Sequence, residues 1–275
     1  MTEFATPSAA HKGLQLSAEP APLLSVNGLS MKFGGVMALD SLTFSVARQQ
    51  ICGLIGPNGA GKTTVFNCLS GIYRPTSGEI NFNGHATLKI APHRMAALGI
   101  GRTFQNLALF PEMSVLDNVM VGGYCRTRTG FLGAMLGRPA GRNEEASLGA
   151  RVWSILEFFD LRGEASRLVS DLPFGIQKRV EFARALAGEP ELLLLDEPAA
   201  GLNHEEVEAL KAIILSVRDR YRLSVLLVEH HMNLVMSISD KVVALNFGRK
   251  IVDAPPAVAQ EDRGLIAAYL GGSNG

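Results

Sequence analysis

The sequence is poor in the features that mark several protein classes. Its 275 residues hold three cysteines, Cys52, Cys68 and Cys125. Their number is odd and they show no CxxC or Cys/His spacing, so neither a disulfide framework nor a zinc site is built from them, and a reducing compartment is expected. Charge is scarce and balanced. Lys plus Arg and Asp plus Glu number 26 each, which leaves no whole-chain field of the kind that draws in nucleic acid or a strongly acidic partner. Any polyanion must therefore be held locally. Long hydrophobic runs are missing as well, since no apolar stretch approaches the roughly 18 to 20 residues of a membrane-spanning helix. The opening MTEFATPSAA lacks a basic start followed by a hydrophobic segment, so the chain is expected in the cytosol unless a partner docks it to a membrane. There is no internal repeat, and one copy of one unit is expected.

What is present is apolar material and a particular order of elements. Hydrophobic residues make up 47% and charged residues 19%, too apolar for disorder and suited to surfaces that partners cover. This length makes one large domain or two modest ones and excludes a short interaction module. Residues 1–22, rich in Ala, Pro, Ser and Thr, are expected to form a mobile leader. Short β-type runs follow at 23–29, 42–46 and 51–55, the last leading into a glycine-rich loop; a helix is expected over 64–70 and a strand over 79–84. From about 106 to 175 the spacing turns helical, in MSVLDNVMVG and EEASLGARVWSILEFFDL, with a Gly- and Arg-rich connector from Tyr124 to Arg142 between them. That reads as a helical subdomain inserted into an α/β unit. QKRVEFARALAG and HEEVEALKAIILSVRDRY then read as helices, ELLLLDEP and LSVLLVEHH as buried strands, and KVVALNFGRKIVD as a hairpin. Strands alternating with helices argue for a mainly parallel sheet.

Two motifs carry chemistry. Gly56, Pro57, Asn58, Gly59, Ala60, Gly61, Lys62, Thr63 and Thr64 spell GPNGAGKTT, which satisfies GxxxxGK[ST] between a hydrophobic strand and a helix. Glycines let backbone N–H groups turn inward around phosphate oxygens, and the helix N-terminus adds about half a positive charge. Lys62 can reach the β- and γ-phosphates, the Thr63 hydroxyl can ligate Mg²⁺, and Thr64 supports the α-phosphate side. A plain Gly-rich turn matches the bare pattern in about one chain of this length in a hundred. The second motif is LLLLDEP, residues 192–198. Four leucines read as a central strand that delivers acids at its carboxyl end. Asp196 would hold Mg²⁺ and Glu197 would polarise the attacking water; taken alone, the two acids fit a solvated turn better, and it is the phosphate loop beside them that gives them this chemistry.

With both motifs in place, the chain from about Leu23 to its C-terminus resembles an ATP-binding cassette (ABC) ATPase. The resemblance implies a P-loop NTPase (RecA-like) α/β core with an antiparallel β subdomain and an inserted α-helical subdomain, spanning 23–252 and followed by a C-terminal extension over 253–275. By the same resemblance Gln105 contacts Mg²⁺ and the lytic water and senses a membrane partner, and His230, beside His231, contacts the γ-phosphate. Phe33 takes the adenine-stacking position, worth roughly 1 to 3 kcal/mol, although a core strand position is the alternative for it. The family's LSGGQ segment corresponds to Leu172–Ile176, where only the leucine and the second glycine match. Pro173 removes a hydroxyl and an amide donor, a loss of roughly 1.5 to 3 kcal/mol of closure unless replaced. The amides of Phe174, Gly175 and Ile176 remain to face a phosphate. Asn203 stands where the family's cross-dimer aspartate would be.

RTFQ, EHHMNLVMSISD and IAAYLGG resemble the branched-chain amino-acid uptake subfamily, with a lipopolysaccharide exporter sharing much of the framework. The resemblance implies a head-to-tail dimer holding two ATP, made with an identical or related second ATPase subunit. It also implies two transmembrane permease subunits docked near Gln105 and residues 106–123, and a periplasmic solute-binding protein. The expected place is peripheral, on the cytoplasmic face of the inner membrane. An exporter ATPase, a urea or amide importer, and a non-transport ABC protein are the alternatives. Neutral charge speaks against nucleic acid as a partner, and a GTP switch would need an NKxD-type segment that is missing.

Overall fold

The computed structural model describes residues 21–103, 107–127 and 139–270. The expected leader up to residue 20, Gln105 and residues 128–138 of the connector lie outside them.

Two sheets organise these residues. β1 (Leu24–Phe33), β2 (Val36–Val46), β4 (Ser77–Phe82) and β5 (His85–Ala86) make an antiparallel sheet in the order β2-β1-β4-β5. The other sheet runs β10-β9-β3-β8-β7-β6. In it β3 (Ile51–Ile55), β6 (Ile100–Arg102), β7 (Leu192–Asp196), β8 (Ser224–Val228) and β9 (Lys241–Asn246) are parallel, and β10 (Arg249–Ala254) returns antiparallel to β9.

ICGLI, LLLLD and SVLLV are buried at every position, as strands covered on both faces must be. Their alternate residues serve two cores. Leu192, Leu194, Leu226 and Val228 pack with Phe44, Phe66 and Phe82 on the side of the antiparallel sheet. Leu193, Leu195, Val225 and Leu227 pack with Val119, Val180, Phe182 and Val235 on the helical side. Each buried leucine is worth roughly 1.5 to 3 kcal/mol, so β7 is pinned from both directions.

The helices are α1 (Lys62–Leu69), α2 (Pro92–Leu98), α3 (Val115–Gly123), α4 (Pro139–Phe158), α5 (Phe174–Ala187), α6 (His204–Tyr221), α7 (Met232–Ile238), α8 (Pro256–Gln260) and α9 (Arg263–Leu270). Ser114 caps α3 by accepting the Asp117 amide at 3.1 Å. α3 lies close against α5 because Gly122 has no side chain: a Cβ there would meet the Arg184 carbonyl oxygen at 2.0 Å. Ala259 of α8 and Leu265 of α9 are buried in the helical-side core, so these two helices fold back onto the main body. Among the described residues no helix is long and apolar enough to cross a membrane.

Two elements depart from the expected bounds for visible reasons. β1 and β2 run on to Phe33 and back from Val36 as an exposed ribbon, with Val36 69% exposed, a stretch with no burial pattern to mark it. The strand expected through His231 stops at Val228, because the next backbone amides turn to the side chain of Glu229 and leave the ladder.

Candidate functional site

The parallel strands β3, β8 and β7 lie side by side, and the loops leaving their carboxyl ends share one edge of the sheet, where open α/β sheets place their ligand sites. After β3 the chain enters the 56–61 loop and then α1. Gly56 has φ +149°, and a Cβ on it would lie 2.3 Å from the Leu245 carbonyl oxygen; Gly61, with φ +103°, would place one 2.7 Å from that of Ala38. No other residue fits either position, so the loop is held tightly against β2 and the β9–β10 hairpin. Lys62 curls inside it, donating from Nζ to the Gly56 and Pro57 carbonyls at 2.7 and 3.0 Å. Burial lowers the pKa of this ammonium below the usual lysine value, against the opposing pull of Glu197 and Asp196. Binding an anion there relieves the cost of that burial. Asn58, Gly59 and Thr63 are exposed, Pro57 and Thr64 half-buried and Ala60 buried. From the far side of the loop the Gly56 amide donates to the Tyr269 hydroxyl of α9 at 2.9 Å.

Asp196 ends β7 and is buried. Its Oδ2 accepts Arg102 Nη2 at 2.8 Å. The same guanidinium donates from Nη1 to Asn67 Oδ1 at 2.9 Å and Ser70 Oγ at 3.0 Å and lies over the Phe66 ring at 5.7 Å. Arg102 therefore ties the β7 acid to α1. Glu197 follows with φ +49°, a left-handed turn that costs a non-glycine residue about 1 to 2 kcal/mol. Its amide stays on the Val228 carbonyl at 2.9 Å, and its carboxylate Oε1 meets His230 Nε2 at 2.6 Å. A carboxylate only accepts, so Nε2 carries the hydrogen in this contact. His231 turns instead to Glu229, with Nδ1 3.3 Å from Oε2.

Phe33 is 43% exposed at the end of β1, its ring edge-on to Tyr73 at 5.2 Å between centroids. The core alternative for it does not hold, since the side chain is open to solvent. Phe174 and Gly175 open α5 behind Pro173, and the Ile176 amide donates to the Pro173 carbonyl at 3.0 Å. That leaves Phe174 and Gly175 with the outward-facing amides of the helix start. Asn203 caps α6, its Oδ1 accepting the Glu206 amide at 3.0 Å while Glu206 Oε2 accepts the Asn203 amide at 2.8 Å. A cleft of about 310 Å³ opens beside the site between α2, β6, α3 and α5, lined in part by Ile72, Met95, Arg102, Gly122 and Arg184.

The 56–61 loop with Lys62, the two acids and His230 lie together at this edge. Arg102, Glu229, Tyr73 and Tyr269 were missed. A cation just before TFQ and an acid just before HH were visible signals; nothing in the sequence singles out Tyr269. Among the described residues no three His, Cys, Asp or Glu side chains cluster as a metal cage. One buried carboxylate and one exposed threonine hydroxyl suit Mg²⁺, which takes one or two carboxylates and completes its shell with phosphate oxygens and water.

Residues 39–200 match the family model described as ABC transporter. The high-affinity branched-chain amino acid transport ATP-binding protein BraF of Pseudomonas aeruginosa is 43% identical over 91% of this chain and 98% of its own length. LivG of Escherichia coli, described in the same words, is 42% identical over the same shares. Among solved structures, the ADP conformation of MJ1267, an ATP-binding cassette of an ABC transporter, superposes with a TM-score of 0.79 at 26% identity, covering 92% of this chain and 100% of that one.

Proposed function

Because this chain belongs to the ABC transporter ATP-binding family and is an ATPase of that family, we propose that it is the motor subunit of a branched-chain amino-acid importer. The supporting observation is the 43% identity to BraF along 98% of that protein. In this reading Phe33 stacks on adenine, the 56–61 amides and Lys62 hold the phosphates, and Thr63, Asp196 and Gln105 hold Mg²⁺. The metal supplies positive charge to the β- and γ-phosphate oxygens when bound. Lys62 gives up the Gly56 and Pro57 carbonyls for phosphate oxygens. His230 leaves Glu197 for the γ-phosphate, which frees the carboxylate to take a proton from the attacking water. Phe174 and Gly175 close over the nucleotide of a second ATPase subunit, identical or related. Residues 106–123 and the cleft beside Arg102 receive a cytoplasmic helix of each of two permease subunits, and a periplasmic binding protein delivers the solute. The chain then works at the cytoplasmic face of the membrane.

The test is uptake of labelled leucine, isoleucine and valine by cells lacking the gene. The parent chain restores uptake, while Glu197→Gln assembles with the membrane subunits and ATP but restores none. Undiminished uptake without the gene, or full rescue by Glu197→Gln, contradicts the reading.

A further inference from the structure

One acid at this edge has no part in the reaction as described. Glu229 lies immediately beyond β8 and is 1% exposed. A carboxylate at that depth must be compensated by hydrogen bonds, and its donors identify what it holds. Oε1 accepts the Ala199 amide at 2.6 Å. Oε2 accepts the His230 amide at 2.9 Å and the His231 amide at 3.3 Å. These amides belong to two loops, one leaving β7 with Glu197 and one leaving β8 with His230. The side chains of the same two loops meet above it at the 2.6 Å contact between Glu197 and His230.

We propose that Glu229 is the positioning residue of the Glu197–His230 pair, a brace whose two oxygens each hold one of the loops and so set the distance between the base and the histidine. The inference rests on the roles given to Glu197 and His230 under Proposed function. Fixing Ala199 fixes its whole loop, because Ala200 donates to the Glu197 carbonyl at 3.1 Å and Leu202 to that of Ala199 at 3.1 Å before Asn203 caps α6. Only a side chain with two acceptor atoms serves both loops. Glutamine fills the same volume, yet whichever way its amide is turned, one loop faces an NH₂ group with its own N–H.

Glu229→Gln is therefore the probe, read as steady-state ATPase of the chain assembled with its membrane subunits. The KM for ATP stays at the parent value, since the loop at 56–64 is untouched, and kcat falls about 10- to 100-fold, the scale of a misplacement near 1 Å. The decisive arm is a double-mutant cycle with His230→Ala. Once the pair is gone there is nothing left to align, so adding Glu229→Gln changes kcat less than about twofold. Equal fold-losses in the two backgrounds, or a raised KM with kcat intact, overturn the proposal. If Glu229→Gln does not melt cooperatively, replacing the Ala199 amide by an ester, with lactic acid at that position, deletes one donor and keeps every side chain; the same outcomes decide. Normal turnover in Glu197→Gln or His230→Ala alone removes the underlying reading, and the brace with it, and is distinct from the additive result that removes the brace alone.

Discussion

Arg102→Met deletes the guanidinium that meets Asp196 at 2.8 Å while keeping a chain of similar length against Phe66. The two side chains of this ion pair are 11% and 6% exposed, so water cannot take the place of the lost partner. Removing one member of a buried pair costs about 3 to 5 kcal/mol, because the remaining charge stays desolvated. In a chain of this size each kcal/mol moves the melting midpoint by about 2 to 4 °C, which gives a fall of roughly 6 to 20 °C. Circular dichroism melts measure it directly. The double variant Arg102→Met/Asp196→Asn recovers much of the loss, since the orphaned charge is gone. Millimolar Mg²⁺ raises the midpoint of Arg102→Met more than that of the parent, because the freed carboxylate binds the ion in the folded state alone. A single-variant midpoint within about 2 °C of the parent, or a double variant less stable than either single one, refutes the buried-pair reasoning.

Further outcomes follow from the same geometry. Tyr269→Phe leaves the Gly56 amide without the hydroxyl that accepts it at 2.9 Å; a cost of about 1 to 3 kcal/mol raises the rate of hydrogen exchange at that amide by roughly 5- to 150-fold, and an unchanged rate would show that the loop does not depend on α9. Gly175→Asp puts a carboxylate beside Glu206, whose Oε1 lies 3.4 Å from the position of the added Cβ, and at the helix start that closes on phosphate. ATPase of the assembled transporter falls while ATP binding to the isolated chain persists, and unchanged ATPase would place the closing segment elsewhere. The free protein's Lys62 loses its proton at lower pH than an ordinary lysine, chiefly through burial. ATP affinity is therefore level below that lowered pKa and falls as pH rises through it, by at most about tenfold per unit. Isothermal titration across the alkaline range shows this loss beginning below pH 10.5, the ordinary lysine value, and a flat profile contradicts it.

Much of this was legible in the residues because it depends on local chemistry. GPNGAGKTT fixes its own conformation through glycines at sites where a Cβ cannot fit, and four leucines followed by two acids specify both a doubly covered strand and what stands at its end. The helix over 204–221 falls at its expected residues, since Asn203 and Glu206 make a capping box visible as a spacing. What escaped depends on tertiary neighbours. Arg102 meets an acid 94 residues later in the chain, and Tyr269 reaches a loop 213 residues earlier; no local pattern encodes either approach. Glu229 has the spacing of a strand tail, and only the fold shows its carboxylate taking the amides that would have continued the ladder. The degenerate LPFGI segment is legible from what flanks it, whereas the Ile176 amide turning to the Pro173 carbonyl is visible only in the fold.

Every role given to this site depends on triphosphate being gripped by the loop at 56–64, and equilibrium titration of the purified chain with ATP measures that grip. Saturable binding that strengthens with Mg²⁺ and weakens by an order of magnitude or more in Lys62→Met is the predicted result, the scale of a lost charge-assisted hydrogen bond at about 1.5 to 3 kcal/mol. Binding that ignores both Mg²⁺ and the loss of Lys62, or no binding at all, contradicts it.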